Sequence, residues 1–425
     1  MTGLLFGSFF VLMFLGVPIA MALGLAAVFS IVTGLDASLI ATAQTMFNGI
    51  NSFPLMAIPF FVLAGNMMGE GGISKKLVTF VNLIFSRVTG GLAMVAIGAS
   101  MFFAAISGSC PATTAAIGGI MVPEMEESGY GRNFAAATVA AAGTVGTVIP
   151  PSIPMVTYCV LANTSVSTLF LAGVGPGILM GVAMMAVAYV YAKRHKVPVI
   201  RDKKKAKEVL HICLDSMWAL IMPVIILGGI YSGIFTPTEA GAVAAVYGMI
   251  IGLFVYKELS WKDIPRVLCN SAMAASVIML IMATVSTFGY VLTMARIPQA
   301  IAASLLSFTT NKYVLLFLFN IVVLIAGCFL NPSAAIALLT PILLPVLTSV
   351  GISPYMVGVV FVVNMSIGMI TPPVGNCLYV ACNIADIKFE TLVKSSIPYL
   401  TVLLLSLLAI TYIEPISMGL VNLFG

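Results

Sequence analysis

The chain has 425 residues, 61% of them hydrophobic and only 8% charged, with a mean hydropathy of +1.15. That composition excludes a soluble globular domain. Its apolar runs are too long and too little alternating for a membrane barrel, leaving an all-α polytopic membrane protein. The formal net charge of +5 comes from loop lysines and carries no nucleic-acid footprint, so the expected surroundings are membrane lipid.

The chain opens on "MTGLLFGSFFVLMFLGVPIA", an apolar run with no basic residue ahead of it, which reads as a first helix rather than a cleaved signal. Helices are expected at roughly 3–15 and 17–35, then a surface-lying stretch at 36–53 and a third helix at 55–69. An amphipathic segment, "EGGISKKLVTFVNLIFSR", follows. Residues 89–122 form one apolar block interrupted by "SGSCP", residues 133–163 carry "GTVIPPSIPM", and 169–192 form one more crossing. The basic run "KRHKVPVIRDKKKAK" then divides the chain, and because cytoplasmic loops collect Lys and Arg it is placed inside the cell. Beyond it the plan recurs, with helices at 213–232, 237–256 and 267–295 and a surface segment near 296–311. A block at 313–349 is broken by "LNPS", a helix at 355–384 carries "GMITPPVGNC", and the last helix covers 393–414. In this threading every one of the 19 Lys and Arg residues except Arg296 and Lys312 faces the cytoplasm. Each interrupted block is read as a re-entrant hairpin with its tip at the midplane, because "PEMEESGYGRN" then falls on the same side as Lys75 and Lys76.

Without gaps, the two halves align at an offset of 222. Pro123 meets Pro345, Gly129 meets Gly351, Gly146 meets Gly368, and Pro150-Pro151 meets Pro372-Pro373, so five of the seven Gly and Pro residues from 123 to 152 find their identical partner. This is a duplication, and the threading makes its copies opposite in orientation. The expected domains are therefore a first inverted repeat at 1–195 (scaffold helices in 1–75, hairpin 89–122, broken helix 133–163) and a basic loop at 196–210. The second repeat takes 211–425 (scaffold helices 213–295, hairpin 313–349, broken helix 355–384).

Matched interruptions in two inverted halves point to the binding site of a secondary transporter. Proline is tolerated in the first turn of a helix, so each Pro-Pro ends one half-helix and begins another. The first half ends in carbonyls that suit a cation, and the second begins with amides that suit an anion. Ser107 and Ser109 add oxygens at one hairpin tip, Asn331 and Ser333 at the other. The nearby acids Glu124, Glu126, Glu127, Asp386 and Glu390 all fall in expected cytoplasmic loops. A proton-coupled carrier keeps a titratable group in its core, so the neutral oxygens here are read as fitting Na⁺ as the coupling ion. The seven cysteines show no metal or redox spacing, and His195 and His211 have no partner cluster. An ion channel filter built from the two re-entrant loops remains an alternative, separable by whether flux saturates and needs a sodium gradient. An enzyme is not expected, since Ser109 has no base within reach on this topology.

The succession of "SGSCPATTAAIG", "GTVGTVIPPSIPM", a long basic loop, "NPSAAIALLTPILLP" and "NMSIGMITPPVGN" resembles the large membrane subunit of tripartite ATP-independent periplasmic (TRAP) transporters along essentially the whole chain. The resemblance implies a multi-pass protein of the bacterial inner membrane. It would be a sodium-driven importer served by a periplasmic substrate-binding protein and a small four-helix membrane subunit. The family is similar to sodium/divalent-anion symporters, a stand-alone carrier of that kind being the alternative, and so implies an elevator mechanism with a moving transport domain against a scaffold. Its substrates are organic acids, sialic acid and C4-dicarboxylates among them, and the overall look leans to the sialic-acid branch. Carried over by residue, one Na⁺ site would use Ser107 and Ser109 with carbonyls around Gly143 to Pro150, Gly146 among them. Its mirror would use Gly327, Asn331 and Ser333 with carbonyls around Met365 to Thr371, Gly368 among them. Where the related symporters carry Ser-Asn-Thr at both tips, this chain has Ser109-Cys110-Pro111 and Asn331-Pro332-Ser333. The substrate carboxylate would lie near Thr113, Thr114, Ser152 and Asn376. The two outward cations give a first test. Replacing Arg296 and Lys312 with alanine should slow uptake only when a binding protein delivers the substrate, and an unchanged rate in that assay removes them from docking.

Overall fold

The computed structural model describes residues 2–34, 38–199 and 205–424, and among them there is no strand. The first half contains α1 (Thr2–Phe14), α2 (Ile19–Gly34), α3 (Leu39–Ile50), α4 (Phe53–Glu70), α5 (Ile73–Phe85), α6 (Gly91–Ser107), α7 (Cys110–Glu127), α8 (Arg132–Gly143), α9 (Ile153–Ala162) and α10 (Val166–Arg194). The second contains α11 (Ala206–Tyr231), α12 (Pro237–Val255), α13 (Ile264–Met294), α14 (Ile297–Phe308), α15 (Lys312–Phe329), α16 (Pro332–Ser349), α17 (Pro354–Gly368), α18 (Asn376–Ala385), α19 (Phe389–Tyr412) and α20 (Glu414–Phe424). Eight of these helices are long and apolar enough to cross a membrane.

Local chemistry accounts for the boundaries. Ser38 accepts the Ile40 N–H and starts α3, which lies along α13. Thr236 and Glu239 form a reciprocal cap at the start of α12, the Glu239 carboxylate accepting from the Thr236 N–H at 2.8 Å. Residues 36 and 37 of the expected surface stretch, and 200–204 of the basic loop, lie outside the described residues. The last expected helix, 393–414, is α19; Pro415 has no N–H to donate and disfavours helical backbone before it, so the chain breaks at Ile413 and restarts as α20, a further helix beyond those expected.

The offset of 222 holds in three dimensions. α7 shifted by it coincides with α16 end to end, and α6, α8, α9 and α10 fall on α15, α17, α18 and α19 with shifts of a few residues at their ends. Gly129 and Gly351 both take positive φ, 89° and 82°, and both Pro-Pro bonds are cis. The packing is reciprocal: α7 lies on α18 and α16 on α9, α8 on α19 and α17 on α10. The broken helices run antiparallel. Tyr158, midway along α9, donates to the carbonyl of Pro354, the first residue of α17, at 2.6 Å, and just past the end of α9 the Ser165 N–H donates to the Tyr355 hydroxyl at 3.4 Å. At the other end, a Cβ added to Gly118 would lie 3.0 Å from Ile384, near the end of α18, and 3.3 Å from Val139 of α8. Where the copies cross, the Ser366 hydroxyl donates to the carbonyl of Thr144, its own counterpart in the first repeat. Contact between equivalent residues is what a two-fold axis produces, so the repeats are inverted about an axis passing between Thr144 and Ser366.

Helices in lipid associate through close packing of small side chains. α8 supplies Ala135, Ala136, Ala137, Ala140, Ala141 and Ala142, all fully buried. Around this centre stand the hairpins α6–α7 and α15–α16 with α10 and α19, while α2, α3 and α4 pack against α12 or α13 as a second group. Ion pairs brace these elements near their ends: Lys76 on α5 lies 2.6 Å from Asp215 on α11, and within the second group Arg266 on α13 reaches Glu70 on α4 at 2.5 Å. These partners all belong to segments threaded to the cytoplasmic side.

The backbones of α15 and α17 nearly touch, and a Cβ added to Gly368 would sit 2.5 Å from the carbonyl carbon of Gly327. Gly368→Ala should therefore destabilise by about 1–3 kcal/mol and lower the apparent Tm in detergent. Gly289→Ala, with nothing within 4 Å, should leave that Tm within the noise of a surface substitution.

Candidate functional site

In the first repeat the hairpin turns at Gly108, whose φ of 59° and whose position permit no side chain, since a Cβ there would lie 2.9 Å from the Pro151 carbonyl oxygen. The tip is thereby pressed onto the helix break. Ser109 is extended, Pro111 occupies the first turn of α7, and the Ser107 and Thr113 hydroxyls are 2.8 Å apart. Thr113 also donates to the Ser109 carbonyl at 2.9 Å, and Thr114 to that of Cys110 at 3.0 Å. Behind the tip, α8 tightens into a 3₁₀ turn at Thr144–Thr147, and Gly146 brings it against the Ser109 carbonyl, 2.6 Å from where a Cβ would be. Ser107, Ser109, Gly143, Gly146 and the break at Pro150 are thus brought together.

The break itself is bridged by Ser152. Its hydroxyl donates to the Thr147 carbonyl and accepts the Met155 N–H at 3.3 Å, capping α9. The second repeat solves the same problem differently. Gly375 turns through positive φ, and the Cys377 N–H donates to the Met369 carbonyl at 3.0 Å. The Asn331 side chain caps α16 by accepting the Ser333 N–H at 3.1 Å. Gly327 abuts Met365 and Gly368, and the Thr371 hydroxyl returns to the Ile367 carbonyl at 2.8 Å. Gly327, Met365 and Gly368 are thus in contact and Asn331 and Ser333 share the tip, while the Thr371 hydroxyl turns back to its own helix. The amides after each Pro-Pro are not all free, because those of Met155 and Cys377 have protein partners.

Between the two tips lies a cavity of about 90 Å³. Its lining is paired by the repeat. Ser109 and Asn331, Cys110 and Pro332, Pro111 and Ser333, and Thr147 and Met369 all border it, and each pair is separated by 222 residues. The cavity therefore straddles the two-fold axis. Its lining offers hydroxyl, amide and thiol groups with no formal charge, and Ile278 of α13 closes one wall. Pockets that hold small organic ligands run to several hundred Å³, so the tips are closed on each other in this arrangement.

Of the residues expected near the substrate, Thr113 and Thr114 are fully buried and bonded one turn behind the tip, Ser152 is engaged in the cap, and Asn376 stands in the first turn of α18. None of the four lines this cavity. Thr147 and Met369, which do line it, fall within the two carbonyl stretches expected at the breaks, and the repeat offset maps one onto the other. Sequence reasoning missed Ile278, which carries no signal.

The family model for the DctM component of tripartite ATP-independent periplasmic transporters matches residues 6–416. The chain is 45% identical to the isethionate TRAP transporter permease protein DctMQ of Oleidesulfovibrio alaskensis, over 97% of this chain but only 65% of that longer protein. It is 43% identical to the C4-dicarboxylate TRAP transporter large permease protein DctM of Pseudomonas aeruginosa, over 95% and 94% of the two chains. It is 35% identical to the sialic acid TRAP transporter large permease protein SiaM of Vibrio cholerae, over 100% and 99%. Among solved structures, the YdaH transporter of Alcanivorax borkumensis shares the fold with a TM-score of 0.64 at 16% identity, covering 90% of each chain. With the inverted repeats, the paired helix breaks and the full-length match taken together, the chain belongs to the DctM family of TRAP transporter large permeases and is a transport protein rather than an enzyme.

Proposed function

We propose that the protein is the membrane subunit of a sodium-coupled importer in the bacterial inner membrane, moving a small organic acid that a periplasmic binding protein delivers. One observation carries this reading: two inverted hairpin tips and two helix breaks meet at one uncharged cavity on the repeat axis. Carbonyls and hydroxyls without a formal charge suit a hard monovalent cation held near depth in lipid, where a carboxylate would titrate. Two Na⁺ ions would sit at the mirror-related tips, one near Ser107, Ser109, Gly143, Gly146 and Pro150. The other would sit near Gly327, Asn331, Ser333, Met365, Gly368 and Thr371. Helix N-terminal amides behind the breaks would attract the substrate carboxylate, with Thr113, Thr114, Ser152 and Asn376 near enough to respond when the tips open. Relatives named for isethionate, C4-dicarboxylates, 2,3-diketo-L-gulonate and sialic acid all handle organic anions, which supports the substrate class.

The same geometry supports an elevator reading of the transport motion. Hairpins, broken helices, α10 and α19 form one packed body, and the site faces the other helices through Ile278. An apolar wall offers no directional bond to resist sliding, so the body would move as an elevator against α1–α4 and α11–α13. A small four-helix membrane subunit would brace that scaffold.

Ser109→Ala and Ser333→Ala should each raise the sodium concentration for half-maximal uptake roughly fivefold, the effect of losing one coordinating oxygen worth about 1 kcal/mol. Uptake into proteoliposomes holding the full transporter should also cease without a sodium gradient. Kinetics indifferent to sodium would overturn the coupling, and unsaturable flux would favour a channel.

A further inference from the structure

A large groove lies away from the hairpin tips, where the first turn of α8, the last turns of α10 and the start of α19 diverge around a cavity of about 770 Å³. Its wall is apolar along Val187, Val190, Pro398 and Val402, with Phe134 as the floor. Tyr191 stacks on Phe134 with ring centroids 3.4 Å apart, and His195 stacks on Tyr191 at 4.0 Å, so the floor is rigid and aromatic. Arg194, His195 and Lys394 stand around one end. Among the described residues neither Arg194 nor Lys394 forms an ion pair, although Lys76, Arg132 and Arg266 do.

The two-fold axis supplies a comparison inside the same molecule. The equivalent groove at the opposite end lies between the start of α17, the end of α19 and the first half of α10. There α20 fills it, packing on all three helices, with the Ile416 carbonyl against Gly175 so closely that no Cβ would fit. That groove holds an apolar segment of the chain itself and needs no cation. At the basic end no described segment takes that place, and unpaired cations border the opening instead. The occupant must then be apolar along its length and anionic at its head.

We propose that this groove holds one anionic phospholipid of the inner leaflet, with its phosphate between Arg194 and Lys394 and an acyl chain along α10 and α19. Basic pockets between membrane helices on the cytoplasmic side recognise such headgroups. Because α8, α10 and α19 belong to the packed body around the hairpins, the lipid would travel with that body rather than with the scaffold. The leaflet rests on the orientation adopted above; binding of the lipid does not, so sodium-independent uptake would leave this test intact.

The test is native mass spectrometry of the full chain with its small membrane subunit, delipidated and then offered phosphatidylglycerol or phosphatidylcholine. Wild type should retain one phosphatidylglycerol in preference to phosphatidylcholine, and R194Q/K394Q should lose that preference by roughly tenfold or more. Ala186→Trp, which fills the apolar wall and leaves both charges, should lose the lipid as well, and it carries the test if R194Q/K394Q does not fold. R194K/K394R and K205Q/K207Q should keep it. Equal retention of the two lipids by wild type, an unchanged R194Q/K394Q, or an equal loss in K205Q/K207Q would each overturn the proposal. So would displacement of the lipid by inorganic phosphate alone, or a photocrosslinker at Val190 that captures the small subunit and no lipid.

Discussion

A helix broken inside a membrane frees backbone groups that lipid cannot satisfy, and each must find its partner within the protein. This chain breaks two helices at that depth, and almost everything about its architecture follows from closing the gaps. Each Pro-Pro removes two donors and a stretch of helical hydrogen bonds. The carbonyls left over are met by side chains from across the repeat axis or across the break. Thr144 accepts from Ser366, and Thr147 accepts from Ser152. In the second repeat the Met369 carbonyl accepts from Cys377 and that of Ile367 from Thr371, so the dependence across the axis runs through Ser366 and Thr144.

That mutual dependence sets the packing. A hairpin tip can cover a break only if the backbones nearly touch, which explains glycine at 108, 146, 327 and 368 and the run of alanines in α8. Close contact also places the tips on the axis, where equivalent residues from the two copies necessarily face one another. The small cavity there is a consequence of symmetry: Ser109 opposes Asn331, and Thr147 opposes Met369. A cavity on a two-fold axis between inverted halves presents related residues from both copies.

The copies have nevertheless diverged where their surroundings differ. Ser152 caps one half-helix, whereas a glycine turn serves the other. In the second repeat Asn364 donates to Asn320, which donates to Thr411, a buried polar chain whose first two members correspond to Ala142 and Gly98 in the first repeat. One end of the molecule closes its peripheral groove with α20, while the other leaves it open and basic. Divergence away from the axis is free of the constraint at the centre, because only the breaks must match.

How much of this was legible beforehand depends on the range of the interaction concerned. Helix positions, the hairpins, the duplication and its inversion could be read because hydropathy, Gly and Pro spacing and loop charge are written locally along the chain. The residues grouped at each tip could also be anticipated, since the tip and its break are held by chemistry repeated at a fixed offset. Side-chain direction could not. Thr113 and Thr114 turn back to bond the helix they belong to, and Ser152 is consumed as a cap, none of which is distinguishable in sequence from a residue that faces a ligand. The separate terminal helix was hinted at only by Pro415. Sequence by itself thus determined a polytopic helical chain of two inverted copies with paired breaks, because those features depend on composition and periodicity. Tertiary structure alone decided that the tips close on one axial cavity, that Ile278 walls it and that one groove is filled and its mirror left open. Each of these depends on contacts between segments hundreds of residues apart, whose geometry no local pattern encodes.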